Sequence, residues 1–255
     1  MITIRSVRPT IAEFWFDEEL PSHGVDIAVL RQFTRSDWSR LGKPFHTLVI
    51  DLNDENEALL SRMKPDTRNA IRRGLAKDGV ITEAWGNPSP KQIGEFFDFH
   101  QKFLQQKRLP GISRIQLDQL ASAGSLHLTR ATTQALGATS GVWHSYVVCN
   151  QRARLLHSSS LFRESDSQTR NLVGRANRTL HWADMLYFRQ FGCRIYDFGG
   201  WYEGKEDTAK LAINHFKEDF GGKHVEGYNA TVPLTWLGSL YLRVKGLRGS
   251  RHERA

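Results

Sequence analysis

Cysteine is scarce. Cys149 and Cys193 are the two in 255 residues, far apart and outside any Cys-x-x-Cys pair, so neither a disulfide framework nor a cysteine-built zinc knuckle is expected. Both are read as ordinary buried thiols, one in an apolar strand-like run and the other beside a glycine. The ten histidines never stand four residues apart, so no helix face carries paired imidazoles, and no metal site is expected. No run approaches the roughly 18 apolar residues needed to cross a bilayer. The opening "MITIRSVRPTIAEFWFDEEL" reaches acidic residues before a signal-type apolar stretch develops. The expected location is the cytoplasm.

The usual phosphate loops and nucleophile elbows are also missing. The chain has no GxxxxGK followed by Ser or Thr, no GxGxxG and no GxSxG, which excludes the standard NTP, dinucleotide and α/β-hydrolase sites. "DFG" at 197–199 has no upstream glycine-rich loop, strand lysine or HRD segment, so a protein kinase is excluded. "RNLVGRA" at 170–176 comes near the pyrophosphate loop of acetyltransferases, but Arg170 stands one place too early relative to Gly174.

What the chain does have is a 40% hydrophobic, 24% charged composition, that of a folded protein rather than a disordered one. Its net charge is +8. That favours a polyanionic partner: nucleic acid, an acidic membrane surface or a phosphate-bearing substrate. Its length suits one large domain or two small ones.

Periodicity gives the order of elements. A strand over 46–52 precedes a helix in "KPDTRNAIRRGLAKDGV", with Asp66 as N-cap, Ile71 and Leu75 turned inward and Gly79 as its stop. A strand over 80–85 follows, then a helix led in by Pro88 and Pro90, and a short helix over 113–122. From Leu126 the period changes to two, and three consecutive strands are expected. The segment 169–191 returns to helical period. "RIYDFGG" reads as a strand, "TAKLAINHFKEDF" as a helix and "KHVEGYNATVPL" as a last strand. Such an order implies a mixed α/β (α+β) fold, a central mixed β-sheet flanked by helices. Residues 1–45 are read as an N-terminal remnant packed on the core, 46–232 as the main domain and 233–255 as a basic C-terminal helix and tail. In that last segment Leu234, Leu237, Tyr241 and Val244 form an apolar stripe, and five basic residues follow from Arg243. It is read as a docked helix with a solvated tail, or as a helix lying on an anionic membrane.

"HWADMLYFRQFGCRIYDFGGWYEGKEDTAKLAINHFKEDFGGKHVE" resembles the C-terminal signature of the Fem group of peptidyltransferases: a helix ending in glycine, a YDFGG strand and an FK-containing helix. "SRMKPDTRNAIRRGLAKDGV" is similar to the arginine-rich helix upstream in that group. The resemblance runs from about residue 46 to 230 and implies a GNAT-like acyltransferase fold. Fem proteins carry two GNAT-like domains, whereas this length holds one full copy and an N-terminal remnant.

The implied activity is N-acyl transfer. An aminoacyl or acyl group would pass from an activated donor, aminoacyl-tRNA or acyl-CoA, to an amine of a cell-envelope precursor, a peptidoglycan peptide or a polysaccharide amino sugar. No tightly bound cofactor is implied. An acyl-CoA-dependent enzyme acting on an amino sugar or small amine is one alternative, and a non-catalytic RNA- or membrane-binding protein is another.

By resemblance, Phe216 and Lys217 occupy the position that stabilises the oxyanion. The flanking rings of Phe216 and Phe220 would exclude water and strengthen the ammonium's attraction for charge developing on oxygen. The plainer reading is a surface lysine paired with Glu218 or Asp219. Gly199 and Gly200 would let backbone approach a substrate, while Asp197 would either orient an amine or cap the turn. Tyr202 and Glu203 fall in a loop suited to binding. Arg68 and Arg72, one helical turn apart, and Arg163 and Arg170, flanking the start of the long helix, are candidate phosphate contacts. His181, Asp184 and His215 lie near the right elements to accept the amine's proton, and spacing does not choose among them.

Overall fold

The computed structural model describes residues 1–34, 42–136, 141–161 and 166–252, with backbone alone over 246–252. Contacts divide the chain into two compact units, one of residues 46–225 and the other of residues 1–45 with 226–255.

The larger unit is built on strands β4 (Lys43–Asp51), β5 (Ile81–Trp85), β6 (Leu126–Thr132), β7 (Val142–Cys149), β8 (Arg152–Ser160) and β9 (Ile195–Gly200), in the order β4-β9-β8-β7-β6-β5. β8 and β9 are parallel and the other neighbours antiparallel, so the sheet is mixed, as expected. Helices α1 (Asn56–Arg62), α2 (Pro65–Ala76), α3 (Pro90–Lys107), α4 (Arg114–Ser122), α5 (Ser167–Gln190) and α6 (Thr208–Glu218) flank it. Parallel strands need a long crossover, and α5 supplies it between β8 and β9. The helices start where local chemistry satisfies their orphan N–H groups. Ser89 and Gln92 form a capping box on α3, Asp166 accepts from Thr169 N at 2.7 Å on α5, and Asp207 accepts from Lys210 N at 3.0 Å on α6.

The core under α5 is aromatic: Tyr146, Phe188, Tyr196, Phe198 and Phe220 are all buried in one cluster. α5 itself buries residues on most of its circumference, including His181 and Asp184. It is therefore a core helix rather than a surface one.

The structure corrects two local expectations and adds elements that were not foreseen. The N-cap of α2 is Lys64, with Pro65 in the first helical position and Asp66 in the first turn. Its inward residues are Thr67, Ile71 and Gly74, whereas Leu75 is exposed. α1 was not expected, and the N-terminal segment holds regular strands.

Gly221 closes α6 with φ of +78°, and a Cβ there would run into the carbonyl oxygen of Arg62. Both the left-handed backbone and the close approach require glycine. Gly221→Ala is expected to lower unfolding free energy by about 2–3 kcal/mol, read from urea midpoints. A loss under about 0.5 kcal/mol would show that this turn relaxes freely.

The smaller unit joins β1 (Ile2–Arg5), β2 (Ile11–Trp15), β3 (Ile27–Phe33) and the second half of β10 (Lys223–Pro233) in that order. α7 (Trp236–His252) follows β10. Asp26 ties it together, accepting from Thr10 N at 2.8 Å and from the Thr235 hydroxyl at 2.6 Å. These bonds, the Thr235 hydroxyl first, hold its carboxyl below the usual range. Of the expected stripe on α7, Leu234, Leu237 and Tyr241 are half-buried, while Val244 is exposed with Trp236 and Leu240. Among the described residues no helix is long and apolar enough to cross a membrane.

Candidate active site

β9 ends in "DFGG", and the structure explains each letter. Asp197 is fully buried. Its Oδ2 accepts from Arg152 Nε at 3.0 Å and also from Nη2, its Oδ1 accepts from Gly199 N at 2.7 Å, and the Thr47 hydroxyl lies against it as well. The carboxylate thus caps the turn and joins β9 to β8, the second of the two roles its position suggests. Phe198 packs on Phe220 with centroids 5.1 Å apart. Gly199 has φ of +70°, and a Cβ on it would approach Leu155 O to 2.8 Å. This turn leaves the carbonyls of Gly199 and Gly200 pointing toward α6.

Lys217 meets them. It is only 7% exposed, which excludes the plainer reading of a solvated helix lysine. Its Nζ donates to Gly199 O at 3.2 Å and to Gly200 O. An ammonium has three N–H donors, so two fix its direction and a third remains. Burial pushes its pKa down to about 8, against the opposing pull of Asp197, with Arg154 adding to the depression. At neutral pH the group is still mostly the cation, in surroundings where its charge is poorly screened.

A cleft of about 500 Å³ opens over this lysine. Lys107, Arg154 and Lys217 line it, and no carboxylate does among the described residues. Phe216 forms part of the wall, with Arg178 4.9 Å above its ring and the ring of Phe220 5.4 Å away. The aromatic groups exclude water, and the cations favour an anionic ligand.

The structure therefore brings Lys217, Phe216 and Gly200 to one cleft, with Asp197 and Gly199 directly behind. Tyr202 lines an adjoining hollow of about 290 Å³ that shares Gly200 with the cleft. Its backbone is clasped by Asn214, through Tyr202 N to Oδ1 at 3.2 Å and Nδ2 to Tyr202 O at 2.7 Å. Glu203 is mostly exposed, 3.0 Å from His46 Nε2. Of the four arginines, the three that the structure describes do not join them. Arg68 donates to the carbonyls of Met63 and Ser61, Arg72 and Arg170 are exposed on α2 and α5, and Arg163 lies outside the described residues.

Sequence reasoning missed Lys107, Arg154 and Asn177. Period alone could not place Arg154: the register of β8 against β7 shifts between Ser145 and Tyr146, so Arg154 pairs with Val147 while Ser158 and Ser160 pair with His144 and Val142, yet all three line the cleft. Of the three candidate bases, His181 lines the cleft, Asp184 is buried behind it and His215 is exposed beside Glu218.

No family model matches the chain, and no curated protein sequence does. Solved structures do match. FemX superposes with a TM-score of 0.57 at 13% identity, covering 78% of this chain and 63% of its own, so the chain spans under two thirds of that protein. The C-terminal domain of a putative lysylphosphatidylglycerol synthetase from Agrobacterium fabrum has a TM-score of 0.52 at 13% identity, covering 96% and 83%. L-PGS from Bacillus licheniformis has a TM-score of 0.50 at 11% identity, covering 81% and 67%. At these identities the shared property is the fold.

Proposed function

We propose that the chain is an N-acyltransferase. It transfers an aminoacyl or acyl group from an activated donor to an amine of a cell-envelope precursor, peptidoglycan peptide or polysaccharide amino sugar, and Lys217 stabilises the oxyanion. The observation that carries this reading is a buried, mostly protonated lysine, aimed by two backbone carbonyls at the floor of a cation-lined cleft.

Attack of an amine on an acyl carbon turns the carbonyl oxygen into an oxyanion. A preorganised cation loses no time or energy turning toward that charge. Lys217 meets this requirement with its remaining N–H. The wall formed by Phe216 excludes water from the same point. Arg154 and Lys107 supply positive charge suited to a phosphate-bearing donor, which both aminoacyl-tRNA and acyl-CoA are. The fold shared with FemX and with the lysylphosphatidylglycerol synthetase domain supports the reading as analogy. Peripheral contact with an anionic membrane through α7 is part of it, supported by exposed Trp236, Leu240 and Val244 beside Arg243 and Lys245.

The test incubates purified protein with a panel of amine acceptors and, separately, isotope-labelled aminoacyl-tRNA and acyl-CoA, following label into the acceptor by mass spectrometry. Transfer from one donor class and not the other is expected. Absence of transfer from both would refute the assignment.

A further inference from the structure

Behind the cleft lies a buried chain of hydrogen bonds that oxyanion stabilisation does not use. His181 Nδ1 is 2.6 Å from the Tyr196 hydroxyl, which is 2.8 Å from the Tyr146 hydroxyl. Tyr146 donates to Asp184 Oδ2 at 2.6 Å. His144 Nδ1 reaches the same oxygen at 2.7 Å, and its Nε2 is 2.9 Å from Asn177 Oδ1. Four of the group, His144, Tyr146, Asp184 and Tyr196, are 0–1% exposed. His181 is also 1% exposed, yet it and Asn177 line the cleft.

Counting protons from the carboxylate fixes the direction of the bonds that run from Asp184 to His181. An ionised carboxylate only accepts, so Tyr146 spends its one proton on Asp184. Tyr146 therefore accepts from Tyr196, and Tyr196, its proton also spent, accepts from His181 Nδ1–H. The imidazole is then the neutral Nδ1–H tautomer, and the lone pair on Nε2 is left for the cleft. Among the described residues Nε2 has no hydrogen-bond partner. The surroundings agree. Burial first, then His144, Lys217 and Arg178, hold the His181 pKa well below its usual value. Burial also raises both tyrosines well above theirs, so they keep their protons. The His144 ring stands 4.3 Å from that of His181, and Phe198, Phe216 and Phe220 also wall it, with centroids 5.0–5.5 Å away.

We infer that His181 is the catalytic residue that takes the proton from the acceptor amine, and that Tyr196, Tyr146 and Asp184 carry it away from the ring. This rests on the acyl-transfer reading of the cleft. As the C–N bond forms, the amine N–H breaks and Nε2–H forms. Nδ1–H breaks as a new O–H forms on Tyr196. Tyr196 passes its former proton to Tyr146, and Tyr146 passes its own to Asp184. The carboxylate is neutralised and no charge stays on the buried imidazole, which that site disfavours. When the tetrahedral intermediate collapses, the leaving oxygen or sulfur recovers a proton from Nε2 and the relay runs back. The initial state is restored with amide and free leaving group as products. His144 is a positioning residue, holding Asp184 through Nδ1 beside the relay, with its ring 4.3 Å from that of His181.

The first test needs no substrate. In ¹⁵N-histidine-labelled protein at pH 7.5, His181, assigned through its contacts with Phe198 and Phe220 protons, is expected to show the neutral Nδ1–H tautomer. Tyr196→Phe is expected to shift it toward Nε2–H. An Nε2–H tautomer or an imidazolium in the wild type overturns the relay. With whichever donor is turned over, Tyr196→Phe and Tyr146→Phe are each expected to lower kcat on the order of 10²-fold with little change in the donor's KM. Loss under threefold in both overturns the relay even if Lys217→Met abolishes turnover. A relay that passes these tests in a protein where Lys217→Met has no effect would sink the oxyanion assignment instead.

Discussion

Lys217→Met is expected to lower the kcat of acyl transfer by about 10²- to 10³-fold, the cost of one oxyanion donor, with the far-UV spectrum unchanged. Methionine matches the length of the lysine stem and fills the space between Gly200 and Phe216, so the cleft keeps its shape. The loss is confined to the ammonium, its charge and its bonds to Gly199 O and Gly200 O. Because the Lys217 pKa stands at about 8 in the folded protein, wild-type turnover is also expected to lose its oxyanion cation as pH rises through that value.

The same substitution has a stability signature of opposite sign. Between about pH 8 and 10.5 the unfolded chain holds a proton on Lys217 that the folded protein has released. Wild-type stability therefore rises with pH across that window. The cost of burying the cation is fully present below pH 8, and the rise amounts to at most about 3 kcal/mol. Denaturant midpoints measured at pH 7 and pH 10 are expected to show this rise in wild type and not in Lys217→Met. An identical pH dependence in the two proteins would mean that the lysine is not held in a poorly solvated site.

Asp197→Asn is expected to cost about 3–5 kcal/mol of unfolding free energy. Arg152 is 7% exposed and its guanidinium is held by this carboxylate. Removing the negative charge takes away the carboxylate that faces this buried cation, which is far more costly than losing a surface pair. The amide also places an NH₂ where an acceptor is needed by Arg152 or by Gly199 N. Urea unfolding measures the loss. A change under about 1 kcal/mol would show that Arg152 finds water instead, and that the DFGG turn does not depend on this pair.

Much of the architecture was legible because period and punctuation agree locally. The change from helical to two-residue period at Leu126, the helix after "NPSP" and the strand ending in two glycines all follow from rules of short range. The FK position was legible through resemblance, and the contact of Phe216 with Phe220 follows from their spacing of four residues, whereas the hold on Lys217 comes from the turn at the end of β9. What could not be read depends on tertiary partners. Leu75 carries the right spacing for an inward face, but α5 brings Thr179 against Gly74, and the small residue takes the contact while leucine turns outward. Arg68 and Arg72 looked like a phosphate stripe, yet Arg68 is spent on carbonyls of the preceding turn. The cations that do reach the cleft, Lys107 and Arg154, come from a helix end and a strand nearly fifty residues apart. The histidine–tyrosine chain was equally invisible, since it joins β7, α5 and β9 and no spacing along the sequence records it.

A crystal structure with a non-hydrolysable analogue of the donor tests the central claim most directly. The account predicts the analogue's acyl carbonyl oxygen roughly 3 Å from Lys217 Nζ, with the donor's phosphates toward Arg154 or Lys107. A donor bound elsewhere, with Lys217 still engaged only by Gly199 and Gly200, would contradict it.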